Sequence, residues 1–157
     1  MKIKNLIITF VSAIALLLST STISLAKVVG DKIILGAAVS LTGKYSSNGV
    51  HTQNGYNLAV ERINSMGGVK VDGKSYKFEI IYYDDESNSG RAAQLAERLI
   101  KQDGVQYMLG PYSSGLTKAM APVTEKYQVP MVEANGASRS LFTKGYKYLF
   151  AVLAPAN

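Results

Sequence analysis

An α/β fold built on a doubly wound parallel sheet is predicted by two observations on this 157-residue chain. Short, almost continuous apolar runs alternate with segments of three- and four-residue apolar spacing, and each apolar run stops in a Gly-, Ser- or Asn-rich loop. Parallel strands are buried on both faces and read as unbroken apolar runs, whereas the crossover helices are amphipathic. A third observation sets the compartment. Met1 to Lys4 carries two lysines, Leu6 to Leu18 is apolar apart from Thr9 and Ser12, and Ser24-Leu25-Ala26 puts small residues three and one before a cleavage point. These are the regions of a secretory signal peptide, assigned to residues 1–26. The apolar stretch is shorter than the roughly 20 residues of a bilayer span, and the sequence has no second one. The expected product is a soluble domain of residues 27–157, exported and not membrane-spanning after cleavage.

Ile33 to Val39 is the first apolar run, ending at Ser40-Leu41-Thr42-Gly43, and predicts a fully buried strand. From Val50 to Met66, Tyr56, Ala59, Val60, Ile63 and Met66 recur at helical spacing and Gly67-Gly68 closes the segment. Val71-Asp72-Gly73-Lys74 is a tight-turn signal that predicts a hairpin-like entry into a strand over Tyr76 to Tyr83. Asp84-Asp85-Glu86-Ser87-Asn88 supplies polar capping residues, read as a solvated turn before a helix traced by Ala92, Ala93, Leu95, Ala96, Leu99 and Ile100 up to Gly104. Val105 to Leu109 predicts the third strand, ending in Gly110-Pro111-Tyr112-Ser113-Ser114-Gly115. Leu116, Ala119, Met120, Val123 and Tyr127 form the next helical stripe, with Pro122 starting or kinking its regular part. Pro130 to Glu133 is the fourth strand, Ala134 to Ser140 a polar loop, and Tyr148 to Leu153 the fifth strand. Four successive alternations imply right-handed crossovers and a parallel sheet.

Ligands of such sheets bind beyond the carboxyl ends of the strands, where strand order reverses. Loops 40–50, 110–115 and 134–140 all combine glycine with hydroxyl or amide side chains, which suits a small polar molecule and above all a carboxylate near a helix N-terminus. Other chemistries lack their residues. A phosphate-binding P-loop needs Gly where Ala38 stands and Ser or Thr where Tyr45 stands, and the first strand is not followed by the three spaced glycines of a dinucleotide site. The single histidine, His51, is read as a surface residue at a helix start, and a hydrolase would need a nucleophile elbow that is absent. The chain has no cysteine, which removes disulfides, thiolate metal sites and a lipid-anchored cysteine at the cleavage point. The formal charge of +6 is spread along the chain and shrinks when Lys2 and Lys4 leave, so no basic stripe for nucleic acid exists. No metal, cofactor or enzymatic activity is indicated.

The run from Leu35 to Gly43, then Asn54-Gly55-Tyr56-Asn57-Leu58-Ala59-Val60 and Ile63-Asn64-Ser65-Met66-Gly67-Gly68, resembles the amino-terminal lobe of type I periplasmic binding proteins, with the branched-chain amino-acid (leucine-binding-like) group the nearest. Tyr83 to Ser87, Leu109 to Ser114 and Ala134 to Ser138 extend the resemblance in the same order and at fitting intervals. It implies a flavodoxin-like three-layer lobe. It also implies an extracytoplasmic receptor that delivers an amino acid of branched-chain type, or a related small polar solute, to an ABC permease in the inner membrane. A sensory ligand-binding domain of a receptor uses the same fold and is the alternative. In the family, the ligand's α-carboxylate and α-ammonium are held by the loops after the third and fourth strands, which here match Ser114, Gly136, Ala137 and Ser138. Tyr45, Asn48 and Tyr112 complete the expected contacts.

Two departures mark a divergent subgroup. Asn48, not an aromatic residue, precedes Gly49, and the segment Phe150 to Pro155 lacks the arginine of the family's Arg-Thr pair. A solute other than leucine, isoleucine or valine is therefore compatible with the resemblance. The resemblance puts Asn157 where the family crosses its hinge, so the expectation is one lobe of two, from a truncated product or incomplete gene model. Such a lobe is expected to bind weakly and to associate through its exposed inter-lobe surface.

Overall fold

The computed structural model describes residues 28–156, and the expected signal peptide lies outside them. Seven strands form one sheet: β1 (Val28–Val29), β2 (Lys32–Val39), β3 (Val69–Val71), β4 (Lys74–Asp84), β5 (Met108–Leu109), β6 (Met131–Glu133) and β7 (Leu149–Ala151). Three helices connect them: α1 (Ser46–Ser65), α2 (Ser89–Lys101) and α3 (Ser114–Lys126). The order β4-β2-β5-β6-β7 is parallel throughout, so the chain steps from β2 to one side and then returns past it to the other. That reversal puts the switch point between β2 and β5, as the doubly wound reading requires. β1 runs antiparallel on the early part of β2, along the edge that β5 does not reach. β3 joins β4 through Asp72 and Gly73, whose φ values of 49° and 80° make a two-residue turn of the type expected.

The strand registers divide the side chains between two faces. Gly36, Met108, Met131 and Leu149 share one face with Ile34 and Ala38, and they pack against α2 and α3. Ala92, Leu95, Ala96 and Leu99 of α2, with Leu116 and Met120 of α3, close this core, which agrees with their sequence periodicity. Added atoms are not tolerated there: a Cβ on Gly36 would meet Met108 Sδ and Val105 Cγ1 at 2.9 Å. The opposite face carries Ala37, Leu109, Val132 and Phe150 in register, and α1 covers only its β2–β4 side. Val132, Phe150 and Tyr107 are consequently exposed.

Several expectations need correction. The fourth crossover contains no α-helix but a single 3₁₀ turn, Arg139–Leu141, because the segment is polar and Gly-containing and offers only Leu141 to the core. α1 begins at Ser46 rather than near Val50, and its expected apolar stripe is only partly covered. Met66 stays 69% exposed and Ala59 is exposed, while the residues it buries are Gly49 and Thr52. Pro122 lies in the interior of α3 on its solvent side, next to exposed Lys118, the residue four earlier whose carbonyl it leaves without an in-helix donor. The strand expected from Val105 pairs only over Met108–Leu109. Finally, the acidic turn Asp84-Asp85-Glu86 does not cap α2, since the Asn88 side chain accepts from Arg91 N–H at 3.0 Å and does so instead.

Candidate functional site

The carboxyl ends of β2, β5 and β6 converge on one rim, and the loops that follow them are fastened before any ligand is considered. The first loop is held from β4. Asp84 Oδ1 accepts from the N–H groups of Leu41 (2.9 Å), Thr42 (3.2 Å) and Glu86 (2.9 Å), and Oδ2 accepts from the Thr42 hydroxyl at 2.7 Å. Burial pushes the Asp84 carboxyl up, but these hydrogen bonds outweigh it and hold the group below its usual range. Its neighbour goes the other way. Asp85 is fully buried, and burial raises its carboxyl even though Oδ1 accepts from Ser40 Oγ at 2.6 Å and Ser87 N–H at 2.8 Å. Its Oδ2 has no hydrogen-bond partner among the described residues. The pair thus acts on the loop after β2, a role concealed in the sequence because strand pairing, not chain proximity, brings residues 40–42 to 84–85.

α1 then starts close against that loop. Gly49 packs so near the Ser40 carbonyl that a Cβ would sit 1.8 Å from its oxygen. Lower on the helix, the Tyr56 hydroxyl donates to the Gly110 carbonyl at 2.6 Å, which ties α1 to the loop after β5. Burial, with the charge of Glu133 next in effect, raises the Tyr56 phenol far above its ordinary value, so it remains a donor throughout the neutral range.

The loops after β5 and β6 are joined by the residues expected at the site. Ser114, the first residue of α3, accepts at Oγ from the Ser138 backbone N–H at 3.1 Å. Its own hydroxyl proton has no acceptor among the described residues and lies at the positive end of a 13-residue helix. The Ser138 hydroxyl pairs with Ser140 Oγ at 2.9 Å. Gly136 is buried and its N–H donates to Glu133, so it shapes the loop rather than presenting that group outward. The Ala137 carbonyl accepts from Ala156 N–H at 2.7 Å, while its N–H has no partner among the described residues. A hydroxyl and a backbone N–H, both uncommitted and in hydrogen-bonded loops, can bind a carboxylate without an ion pair.

A cleft of about 400 Å³ is lined by Asn48, His51, Thr52, Tyr56, Tyr112 and Asn135, with Gly55 and Ala134 between them, whereas Ser114, Gly136, Ala137 and Ser138 are not among its lining residues. Tyr45 stands next to this wall, its ring edge-to-face with Tyr112 at 5.6 Å and 68°, and Lys44 Nζ lies 4.7 Å from the Tyr45 ring centre. The structure therefore gathers Asn48 and Tyr112 into one cleft and connects Tyr45 to it. His51, Thr52, Tyr56 and Asn135 were missed as cleft residues. The available signal was the 48, 51–52, 55–56 spacing, which is a second helical face of α1 in addition to the apolar one. Among the described residues no group of three or more His, Asp or Glu side chains is placed to hold a metal ion. No helix among them is long and apolar enough to cross a membrane.

Residues 32–156 match the family model described as periplasmic binding protein. The leucine-, isoleucine-, valine-, threonine- and alanine-binding protein of Pseudomonas aeruginosa is 27% identical over 127 residues, which is 81% of this chain and 33% of that protein. Among solved structures, the branched-chain amino-acid transporter substrate-binding protein LivJ of Streptococcus pneumoniae, in complex with isoleucine, superposes with a TM-score of 0.71 at 32% identity. The match covers 79% of this chain and 34% of that one. An ABC-transporter solute-binding protein of Rhodopseudomonas palustris, in complex with 3,4-dihydroxybenzoic acid, gives a TM-score of 0.66 at 27% identity over 80% of this chain and 32% of that one. The chain spans about a third of the length of the relatives it matches. With the order β4-β2-β5-β6-β7, the fastened rim and a family match along nearly all the described residues, this chain belongs to the periplasmic binding proteins, a family of solute-binding proteins and not of enzymes.

Proposed function

We propose that this chain supplies one wall of the binding site of an extracytoplasmic receptor, which captures an amino acid or related small polar solute and passes it to an ABC permease of the inner membrane. The observation that carries this reading is the Ser114–Ser138 connection between the loops after β5 and β6, which leaves the Ser114 hydroxyl and the Ala137 N–H without partners among the described residues. A solute carboxylate fits those donors. Ser114, Ala137 and Ser138 are assigned to the backbone of the solute, Gly136 to holding their loop, and Tyr45, Asn48 and Tyr112 to the wall beside it. Export to the periplasm through a cleaved signal peptide at residues 1–26 accords with the family. The test is isothermal titration calorimetry of the natural full-length protein with the twenty common amino acids. Saturable binding that is lost in Ser114→Ala supports the assignment, and a folded protein that binds none of them removes it.

A further inference from the structure

Of the relatives named above, one holds isoleucine, one is named for leucine, isoleucine, valine, threonine and alanine, and one holds 3,4-dihydroxybenzoic acid, so the cleft wall of this chain has to be read from its own side chains. Of its lining side chains, none is a leucine, isoleucine, valine or methionine. Thr52 and Tyr56 spend their hydroxyls internally, on Asn48 O at 2.9 Å and on Gly110 O. The side chains of Asn48, His51 and Asn135 and the hydroxyl of Tyr112 have no hydrogen-bond partner among the described residues. All four can donate. No carboxylate lines the cleft to repel an anionic group.

Accepting the solute-binding reading above, on which this step rests, we infer that the receptor selects a solute whose side group carries acceptor oxygens, an amide or a carboxylate, and that His51 and Asn135 are its specificity-determining residues. The alternative, an aliphatic side group against this wall, would strip water from two amides and an imidazole without replacing their hydrogen bonds. Unpaired polar groups of a site built to hydrogen-bond are what reject an analogue that lacks the matching atoms, and they do so more strongly than an apolar pocket discriminates between aliphatic groups. The geometry also accounts for Asn48 in front of Gly49. At that point α1 runs against the Ser40 carbonyl, and the amide one residue earlier projects from the first turn into the same cleft as Asn135.

Calorimetry on the natural full-length protein decides between the two. L-Glutamine, L-asparagine, L-glutamate and L-aspartate are titrated against L-leucine, L-isoleucine and L-valine, with His51→Leu, Asn135→Leu and Ser114→Ala alongside. At least one of the four polar solutes should bind tenfold or more tightly than any branched-chain one. His51→Leu and Asn135→Leu should each cost that solute tenfold or more and narrow the gap. Tighter binding of a branched-chain solute that Ser114→Ala abolishes overturns this inference and leaves the receptor assignment standing. Binding of none of the seven overturns the inference, and full retention of binding by Ser114→Ala overturns the assignment beneath it. Should either leucine variant fail to fold, the wild-type ranking alone still decides.

Discussion

Ser138 donates its backbone N–H to Ser114 Oγ at 3.1 Å, so the loop after β6 is secured to the first residue of the helix that follows β5. One hydroxyl thereby accepts from the fold and, in the proposed assignment, keeps its proton for a solute. Ser114→Ala removes both. Ser114 is only half-buried, so the lost hydrogen bond should cost about 1 kcal/mol of stability. Solute affinity should fall by about tenfold to a hundredfold, since a donor to a carboxylate is worth roughly 1.5–3 kcal/mol. Ser138→Ala retains the backbone N–H, loses only the contact with Ser140, and should cost less than Ser114→Ala on both scales. Paired thermal melts and calorimetry read the two effects separately.

Gly49 is predicted to be the least replaceable residue of α1. A Cβ at this position would stand 1.8 Å from the Ser40 carbonyl oxygen and 2.6 Å from its carbon, backbone atoms with no freedom to rotate away. Gly49→Ala normally favours a helix by about 1 kcal/mol. Here the helix must instead shift off the loop, and overpacking of this kind costs about 1–3 kcal/mol or more. The expected result is a net loss of stability in urea melts. Gly55→Ala, on the same helix with open space around it, is the control and should be neutral or stabilising.

What the residues disclosed and what they concealed divide along physical lines. The periodicity of Ala92, Leu95, Ala96 and Leu99, and the turn residues Asp72-Gly73, are local signals, and the fold uses them as the local physics dictates. Strand-ending loops of a doubly wound sheet share one rim, and there Ser114 meets Ser138 while Asn48 and Tyr112 line a cleft. The roles of Asp84 and Asp85 were not legible, because they depend on the register that sets Val39 opposite Asp84 and so delivers a distant loop to both carboxyls. α1 was legible as a helix but not in orientation. Tyr56 has an apolar ring that counts toward a core stripe and a hydroxyl that bridges to Gly110, and sequence spacing cannot say which property is used.

Asp84 should leave an acid-labile signature. Its folded-state carboxyl titrates below the unfolded value of about 3.9, so its contribution is fully present above about pH 4 and disappears as pH falls through the folded value. Asp84→Asn retains an oxygen for the three backbone N–H groups and lets Thr42 Oγ1 turn to accept, so it removes chiefly the charge. Because the group is partly exposed, screening limits the loss to about 1 kcal/mol at pH 7. The difference between wild type and variant should shrink as pH falls from about 4 through the lowered folded value. Asp85, raised by burial, works with the opposite sign: the wild type should gain on Asp85→Asn as pH falls from the raised folded value toward about 4. Urea denaturation across pH 3–8 tests both, and parallel pH profiles for the two variants would refute the assignment of opposite shifts.

Glu133 is the carboxylate on which the geometry of the loop after β6 depends. It is fully buried, Oε2 accepts from the Thr117 hydroxyl at 2.9 Å, and Oε1 accepts from Gly136 N–H. A Cβ on Gly136 would meet Oε2 at 2.5 Å, so the loop has closed around the carboxylate. Glu133→Ala leaves a cavity, an unpaired Gly136 N–H and an unpaired hydroxyl, and should cost about 3 kcal/mol with loss of solute binding. Glu133→Gln can retain the geometry, because its amide oxygen still accepts from Gly136 while its NH₂ donates to a rotated Thr117 hydroxyl. Its cost should be about 1 kcal/mol, with affinity within threefold of wild type. Removing the charge also withdraws one of the influences that raise Tyr56, whose phenol should therefore titrate at lower pH in Glu133→Gln by ultraviolet absorbance. Equal damage from Gln and Ala would mean that the loop is held by the negative charge itself rather than by hydrogen-bond geometry, and the unshifted titration of Tyr56 would then show that the charge does not reach α1.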